Sequence, residues 1–208
     1  MSSSFMDQER KSSENLAIPQ MKYHDRNPIV RYANQRFLST ITSFLRSIQF
    51  DSLLDAGCGE GVVLASIRNE FQMGYCGIDL DYDRVRFASI EMTGNKFVNG
   101  DAQRLPFSDS SFDLVLLLEV LEHVGDPEKV LEEVHRVSGK YLLVSVPNEP
   151  WWRVGNMLRL KYMREFGNTP EHINHWTVPG FRSLLSDRFH ILSMRLPMLW
   201  TFILAEKM

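Results

Sequence analysis

The run Leu53-Leu54-Asp55-Ala56-Gly57-Cys58-Gly59-Glu60-Gly61 restricts the fold of this chain more than any other feature. A short apolar stretch ends in an acid, and three alternating glycines then lead into a helical pattern at 62–69. Glycine lacks a Cβ, so the backbone can turn sharply from strand to helix and let a bulky ligand lie against it. The pattern predicts a strand, a glycine loop and a helix that together cradle a nucleotide-type cofactor. Spacing excludes two familiar cradles. G-x-G-x-G differs from the dinucleotide fingerprint G-x-G-x-x-G, and no Gly-Lys-Ser/Thr follows to make a phosphate-binding P-loop.

Strand-like runs at 52–56, 75–79, 96–99, 112–118 and 141–146 alternate with helical patterns at 62–69, 83–91 and 127–137. Such alternation builds βαβ units and a mostly parallel sheet. A helix at 179–186 then precedes strands at 190–195 and 199–204, with Pro197 marking the turn between them. Consecutive strands joined by a tight turn pair antiparallel. The expected fold is therefore α/β: a doubly wound, mostly parallel seven-stranded sheet that ends in a C-terminal antiparallel hairpin. Ahead of the sheet, Asn27-Pro28 opens a capping helix over 28–48, with Ile29, Tyr32, Ala33, Phe37, Ile41, Phe44, Leu45 and Ile48 tracing one face. The polar residues 1–20 read as a mobile tail, and 21–208 as a single domain with a substrate-side insertion or lid at 147–178.

A chain of 208 residues buries one ordinary core. Its net charge of -3 gives little attraction for a phosphate backbone, so no specific nucleic-acid partner is expected. The most apolar stretches, 114–121 and 196–205, are each about half of the roughly 20 residues that span a bilayer, and the polar N-terminus lacks the apolar core of a secretory signal. Cys58 and Cys76 form neither a disulfide framework nor a metal-ligand spacing, which fits a reducing cytoplasm.

In a doubly wound sheet the ligand lies across the carboxyl ends of the strands, so polar residues just past each strand are informative. Here they form a series: Asp55, Asp79, Asp101 and Glu119. Asp79 lies close to the offset of about 20 residues from the first glycine at which an acid accepts hydrogen bonds from ribose hydroxyls. Any one of these acids alone reads as a solvated strand end. Together they describe an adenosine site. Asp83, directly ahead of a helical stretch, reads instead as an N-cap.

With these residues in view, the sequence resembles the class I S-adenosylmethionine-dependent methyltransferases. The segments that carry the resemblance are Leu53 through Gly61, Gly77-Ile78-Asp79-Leu80, Gly100-Asp101-Ala102-Gln103-Arg104-Leu105-Pro106-Phe107, Phe112-Asp113-Leu114-Val115 and Glu119-Val120-Leu121-Glu122-His123-Val124. The wording is nearest to the broad group that includes ubiquinone-biosynthesis and other small-molecule methyltransferases. The resemblance implies S-adenosylmethionine as cofactor and S-adenosylhomocysteine as product. It implies that Asp55, Gly57, Cys58, Gly59 and Gly61 surround the methionine moiety, and that Asp79 takes the ribose. Leu80 would flank the adenine, Asp101 and Ala102 would bond it, and Glu119 with Val120 would line the pocket beside the sulfonium. Cys58 reads as a small filler of the loop, since no base is placed to activate it.

Methyl transfer needs a nucleophile aligned opposite the leaving sulfur, and a histidine of near-neutral pKa can take a proton from a hydroxyl acceptor. His123, directly after the fourth strand, and His172 are the candidates. His172 and His175 in Glu171-His172-Ile173-Asn174-His175-Trp176 face the substrate side, and too few further ligands accompany them to expect a metal. Trp151 and Trp152 begin an aromatic and basic stretch that reads as a lid over the acceptor, a membrane-interface surface or plain core; Tyr23 and His24 would close the same pocket. The expected partner is a small, apolar or aromatic acceptor methylated on O, C or N. Methyl transfer to RNA or protein is the alternative, although the Asn/Asp-Pro-Pro-Tyr of amino-directed nucleic-acid enzymes is replaced here by Leu118-Glu119-Val120-Leu121. A non-catalytic scaffold would have no need of the acid series.

Overall fold

The computed structural model describes residues 27–148 and 172–208. The N-terminal tail, Tyr23, His24, Trp151, Trp152 and most of the 147–178 insertion lie outside the described residues.

Helix α1 spans Pro28–Leu45. Asn27 caps it by accepting a bond from the Ile29 N–H at 2.9 Å, and Pro28 occupies the first turn, where its missing N–H costs nothing. Then follow β1 (Leu53–Ala56), α2 (Val62–Ile67), β2 (Tyr75–Asp79), α3 (Tyr82–Glu91), β3 (Lys96–Asn99) and β4 (Phe112–Leu118). A single 3-10 turn at Leu121–His123 leads to α4 (Pro127–Val137) and β5 (Ser138–Pro147). The chain closes with α5 (Val178–Ser186), β6 (Phe189–Arg195) and β7 (Trp200–Lys207).

The seven strands form one sheet in the order β3-β2-β1-β4-β5-β7-β6. The first five are parallel to their neighbours, while β7 runs antiparallel to both β5 and β6. The expected hairpin is present, with its later strand inserted beside β5 so that β6 becomes the sheet edge. In that edge strand the register shifts between Ile191 and Ser193, leaving Leu192 as an extra residue. A bulge of this kind twists an edge away from pairing with another chain.

Alternate strand residues face opposite sides, as the two-residue period requires. Leu54, Val115, Leu117, Leu142, Val144 and Ile203 meet Val130, Leu131 and Val134 of α4 and Phe181 and Leu185 of α5. On the other side, Leu53, Leu114, Leu116, Leu143 and Phe202 meet Phe37, Ile41 and Phe44 of α1 and Leu64 and Ile67 of α2. Helices on both faces explain why β1, β4 and β5 read as continuous apolar runs.

Two expectations are corrected. The cap of α3 is Asp81, which accepts from the N–H groups of Asp83 and Arg84 at 3.0 and 3.2 Å, so Asp83 lies inside the first turn. The helix starts earlier because Asp81 itself is set by a bond from its N–H to Asp79 Oδ1 at 2.9 Å. Ile29 and Tyr32 do not join the buried face of α1; they are 67% and 56% exposed, since the packed stripe begins only at Ala33.

Phe202 is fully buried between Phe37 and Phe44, at ring separations of 5.0 and 6.3 Å. Phe202→Ala should destabilise the protein by about 3–5 kcal/mol, read as a lowered urea midpoint at unchanged slope.

Candidate functional site

The sheet reverses its winding between β1 and β4, and the loops after those two strands meet there. All three loop glycines have positive φ: 87° at Gly57, 52° at Gly59 and 77° at Gly61. Their reasons differ. A Cβ on Gly57 would come within 2.2 Å of Val120 Cγ2, so the loop backbone lies directly on the side chain that follows β4. A Cβ on Gly59 would meet nothing within 4 Å, which makes this the open part of the cradle. The Gly57 and Cys58 N–H groups both bond Ile78 O, at 2.7 and 3.0 Å, and the Gly59 N–H bonds Asp79 Oδ2 at 2.8 Å. The loop after β1 is thereby tied to the end of β2 before any ligand arrives.

Asp55 is 2% exposed. Burial, with the nearby negative charge of Asp79 adding to it, pushes its carboxyl up to about 7. The same two influences, together with Asp55, push the Cys58 thiol far up, and Cys58 is itself buried. Cys58 therefore remains a neutral filler; its Sγ is 2.8 Å from where a Gly77 Cβ would stand.

Asp101 sits on the loop after β3, its Oδ1 accepting the Gln103 N–H at 2.8 Å, with Ala102 beside it and only partly buried. Leu80 at the end of β2 is 74% exposed, a large apolar side chain laid open at the rim. Sequence reasoning passed over the pair that fixes this loop. Glu133 of α4 accepts the Leu105 N–H at 2.7 Å, and Arg136 donates to Leu105 O at 3.0 Å, to Phe107 O at 2.7 Å and to Glu133 and Asp109. Arg136 holds Glu133 below the ordinary carboxylate range. The visible signal was only an i,i+3 acid–base pair on a helix, which ordinarily means a solvated face.

Past β4, Glu119 adopts φ 57°, uncommon for a residue with a side chain. Its N–H bonds Ser145 O at 3.2 Å; Ser145 Oγ donates to its Oε1 at 3.2 Å and Trp200 Nε1 to its Oε2 at 2.8 Å. His123 and His172, far apart in sequence, lie edge to face with ring centroids 5.0 Å apart. Glu122 is 1% exposed with Oε1 at 3.9 Å from His123 Nε2, and Glu122, His123 and His172 bring one ligand-type atom each within 4.8 Å of one another. His172 thus joins His123 and not His175, whose side of the segment is exposed while Trp176 packs towards Phe181. Asn174, also passed over, ties the segment down by donating to Leu121 O and Val124 O at 3.0 and 2.6 Å.

Ring contact of Phe37 with Trp200 places the start of α1 at this same end of the sheet. Ile29 and Tyr32 of α1 and Leu196 and Met198 of the β6–β7 turn are exposed by 67%, 56%, 50% and 42%.

Residues 54–142 match the family described as a methyltransferase domain. Norajmaline N-methyltransferase of Rauvolfia serpentina is 37% identical over 93 residues, covering 42% of this chain and 32% of that protein. Fatty-acid O-methyltransferase of Mycolicibacterium smegmatis is 35% identical over 118 residues, covering 54% of this chain and 42% of that protein. The chain spans less than half the length of these two curated relatives. A solved S-adenosylmethionine-dependent methyltransferase from Methanosarcina mazei has a TM-score of 0.65 and 25% identity over 80% of this chain and 97% of that one. Over the domain at 54–142 the chain is similar to the class I S-adenosylmethionine-dependent methyltransferases. S-adenosylmethionine is the cofactor of that class. The residues present fit it: Gly59 leaves open space on the loop, and the Asp79 carboxylate lies beside it, accepting the Gly59 N–H with a lone pair to spare on that oxygen.

The raised Asp55 carboxyl also sets a pH dependence for the ligand-free protein. From about pH 4 to about pH 7 the folded chain keeps a proton that the unfolded chain has released, so this group's contribution to stability is lost as pH rises through that window. Asp55→Asn should remove that loss. Thermal unfolding of the ligand-free proteins should show the variant gaining on wild type as pH rises from about 4 to about 7, and a constant difference would contradict the burial argument.

Proposed function

We propose that this protein transfers the methyl group of S-adenosylmethionine to an oxygen, nitrogen or carbon of a small, apolar or aromatic acceptor. The reading is carried by the acids Asp55, Asp79, Asp101 and Glu119 at or just past the ends of the adjoining strands β1, β2, β3 and β4, with open space at Gly59. When bound, the cofactor supplies an electrophilic methyl group on a sulfonium sulfur. Asp79 would hold the ribose hydroxyls: each carboxylate oxygen accepts one bond here, and each has a second lone pair to offer. Asp101 would accept from the adenine amine beside the Ala102 backbone, with Leu80 against the ring. Gly57 and Gly59 present bare backbone to the methionine part, and Glu119 with Val120 lines the reacting end.

His123 would receive the proton of a hydroxyl acceptor. Its side chain is 39% exposed, with Nε2 3.9 Å from Glu122 Oε1. His172, buried against it, would keep that ring in place. The exposed apolar side chains Ile29, Tyr32, Leu196 and Met198 are compatible with an apolar acceptor. A relative named fatty-acid O-methyltransferase supports an apolar acceptor, and one named norajmaline N-methyltransferase a small-molecule acceptor. No helix among the described residues is long and apolar enough to cross a membrane, and the unpaired thiols of Cys58 and Cys76 suit a reducing cytoplasm.

Calorimetry with S-adenosylmethionine tests the cofactor site. Wild type should bind it and Asp79→Ala should bind it more weakly by about 1–3 kcal/mol, as expected for a lost hydrogen-bonding acid; absence of binding at millimolar ligand defeats the reading. For the acceptor, incubating the protein with methyl-labelled cofactor and a cell extract should place label in solvent-extractable small molecules. Label confined to RNA or protein would replace the acceptor class proposed here.

A further inference from the structure

Among the described residues, donors from two other strands hold the carboxylate of Glu119. Ser145 Oγ of β5 reaches Oε1 at 3.2 Å, and the indole Nε1 of Trp200, the first residue of β7, reaches Oε2 at 2.8 Å. Since β5 lies between β4 and β7 in the sheet, the side chain extends across one whole strand end to meet Trp200. One donor on each oxygen fixes the plane of the carboxylate as well as its position. The backbone is fixed too, in a left-handed conformation, by the bond from the Glu119 N–H to Ser145 O. Trp200 is in turn 6% exposed and set edge-on against Phe37 of α1 at 5.0 Å. A buried indole N–H needs an acceptor, but the adjacent backbone offers carbonyls; here the acceptor is a charged side chain next to Val120, which touches the glycine loop at Gly57.

We propose that Ser145 and Trp200 are positioning residues that aim the Glu119 carboxylate at the sulfonium end of the cofactor, so that α1 and the C-terminal hairpin set the charge of the methyl-transfer pocket. This rests on the cofactor placement proposed above. A carboxylate held there favours S-adenosylmethionine over S-adenosylhomocysteine, because the two differ at that point by one positive charge. The clamp therefore has a signature that plain packing lacks: it changes the preference between the two ligands, whereas a loosened core weakens both alike.

The test is calorimetry of both ligands with the full chain as wild type, Glu119→Gln, Trp200→Phe, Ser145→Ala and the Trp200→Phe/Glu119→Gln double variant. Trp200→Phe keeps a ring against Phe37 and removes the donor; Ser145→Ala, a smaller change, carries the test if the first fails to fold. Each single variant should narrow the preference for S-adenosylmethionine by about threefold to tenfold while leaving S-adenosylhomocysteine affinity nearly unchanged. The double variant should narrow it no further than Glu119→Gln alone. Equal weakening of both ligands by Trp200→Phe and Ser145→Ala, with the preference kept, overturns the clamp. A preference unmoved by Glu119→Gln overturns it as well, yet leaves the cofactor site standing. If wild type binds neither ligand, the cofactor placement itself falls.

Discussion

The contact between the Gly57 backbone and the Val120 side chain is the constraint on which the reactive end depends. β1 and β4 are neighbours at the centre of the sheet, paired from Leu53↔Leu114 to Asp55↔Leu116, and the connections leave them in opposite directions. A crevice must open at that point, and its two walls are the loops after β1 and after β4. They approach so closely that no side chain fits between them, since the Cβ of any other residue at 57 would stand 2.2 Å from Val120 Cγ2. The glycine is thus required by packing between the loops, before any question of ligand contact. Gly59, two residues on, faces open space and is the position where the ligand argument applies.

The acids of the chain divide by what the fold does to them. Asp113 is held below the ordinary carboxylate range chiefly by the Asp51 N–H, with Ser52 adding its own N–H and hydroxyl, and it joins the start of β4 to the chain ahead of β1. Glu133 is held down by Arg136 and fastens a loop. These are acids the folded state stabilises. Asp55 is the opposite: burial and Asp79 both act against its charge. Its carboxyl is thereby set apart from ordinary surface acidity, as perturbed acids in clefts are.

Local chemistry accounts for what the sequence revealed. Strands buried on both faces announce themselves as apolar runs, and β2, β3, β4 and α4 begin and end where those runs and their caps put them. The strand-end acids were legible because the topology leaves only one end of the sheet for a ligand. The α3 cap went to Asp81 in place of Asp83 because Asp79 had already set the turn, a two-residue interaction that propensity alone does not rank. The insertion of β7 beside β5, the Arg136 fastening and the Trp200–Glu119 bond join residues dozens of positions apart. No local period encodes such pairings.

The segment 172–176 shows why such distant pairings belong to the site and are not incidental packing. The turn at Leu121–His123 is a single 3-10 turn, too short to satisfy its own backbone carbonyls. The returning chain supplies what it lacks: the Ile173 and Asn174 N–H groups bond Glu122 O at 2.9 and 3.2 Å, and the Asn174 amide bonds Leu121 O and Val124 O. The carbonyls of Leu121, Glu122 and Val124 around His123 are therefore engaged by residues some fifty positions later, and His172 is carried onto the His123 ring by the same segment. The position of His123 is consequently a property of two segments. A change at 172–176 that spared every side chain around the cofactor would still displace it, because the bond from the His123 N–H to Val120 O at 3.0 Å leaves the other carbonyls of the turn to the returning segment.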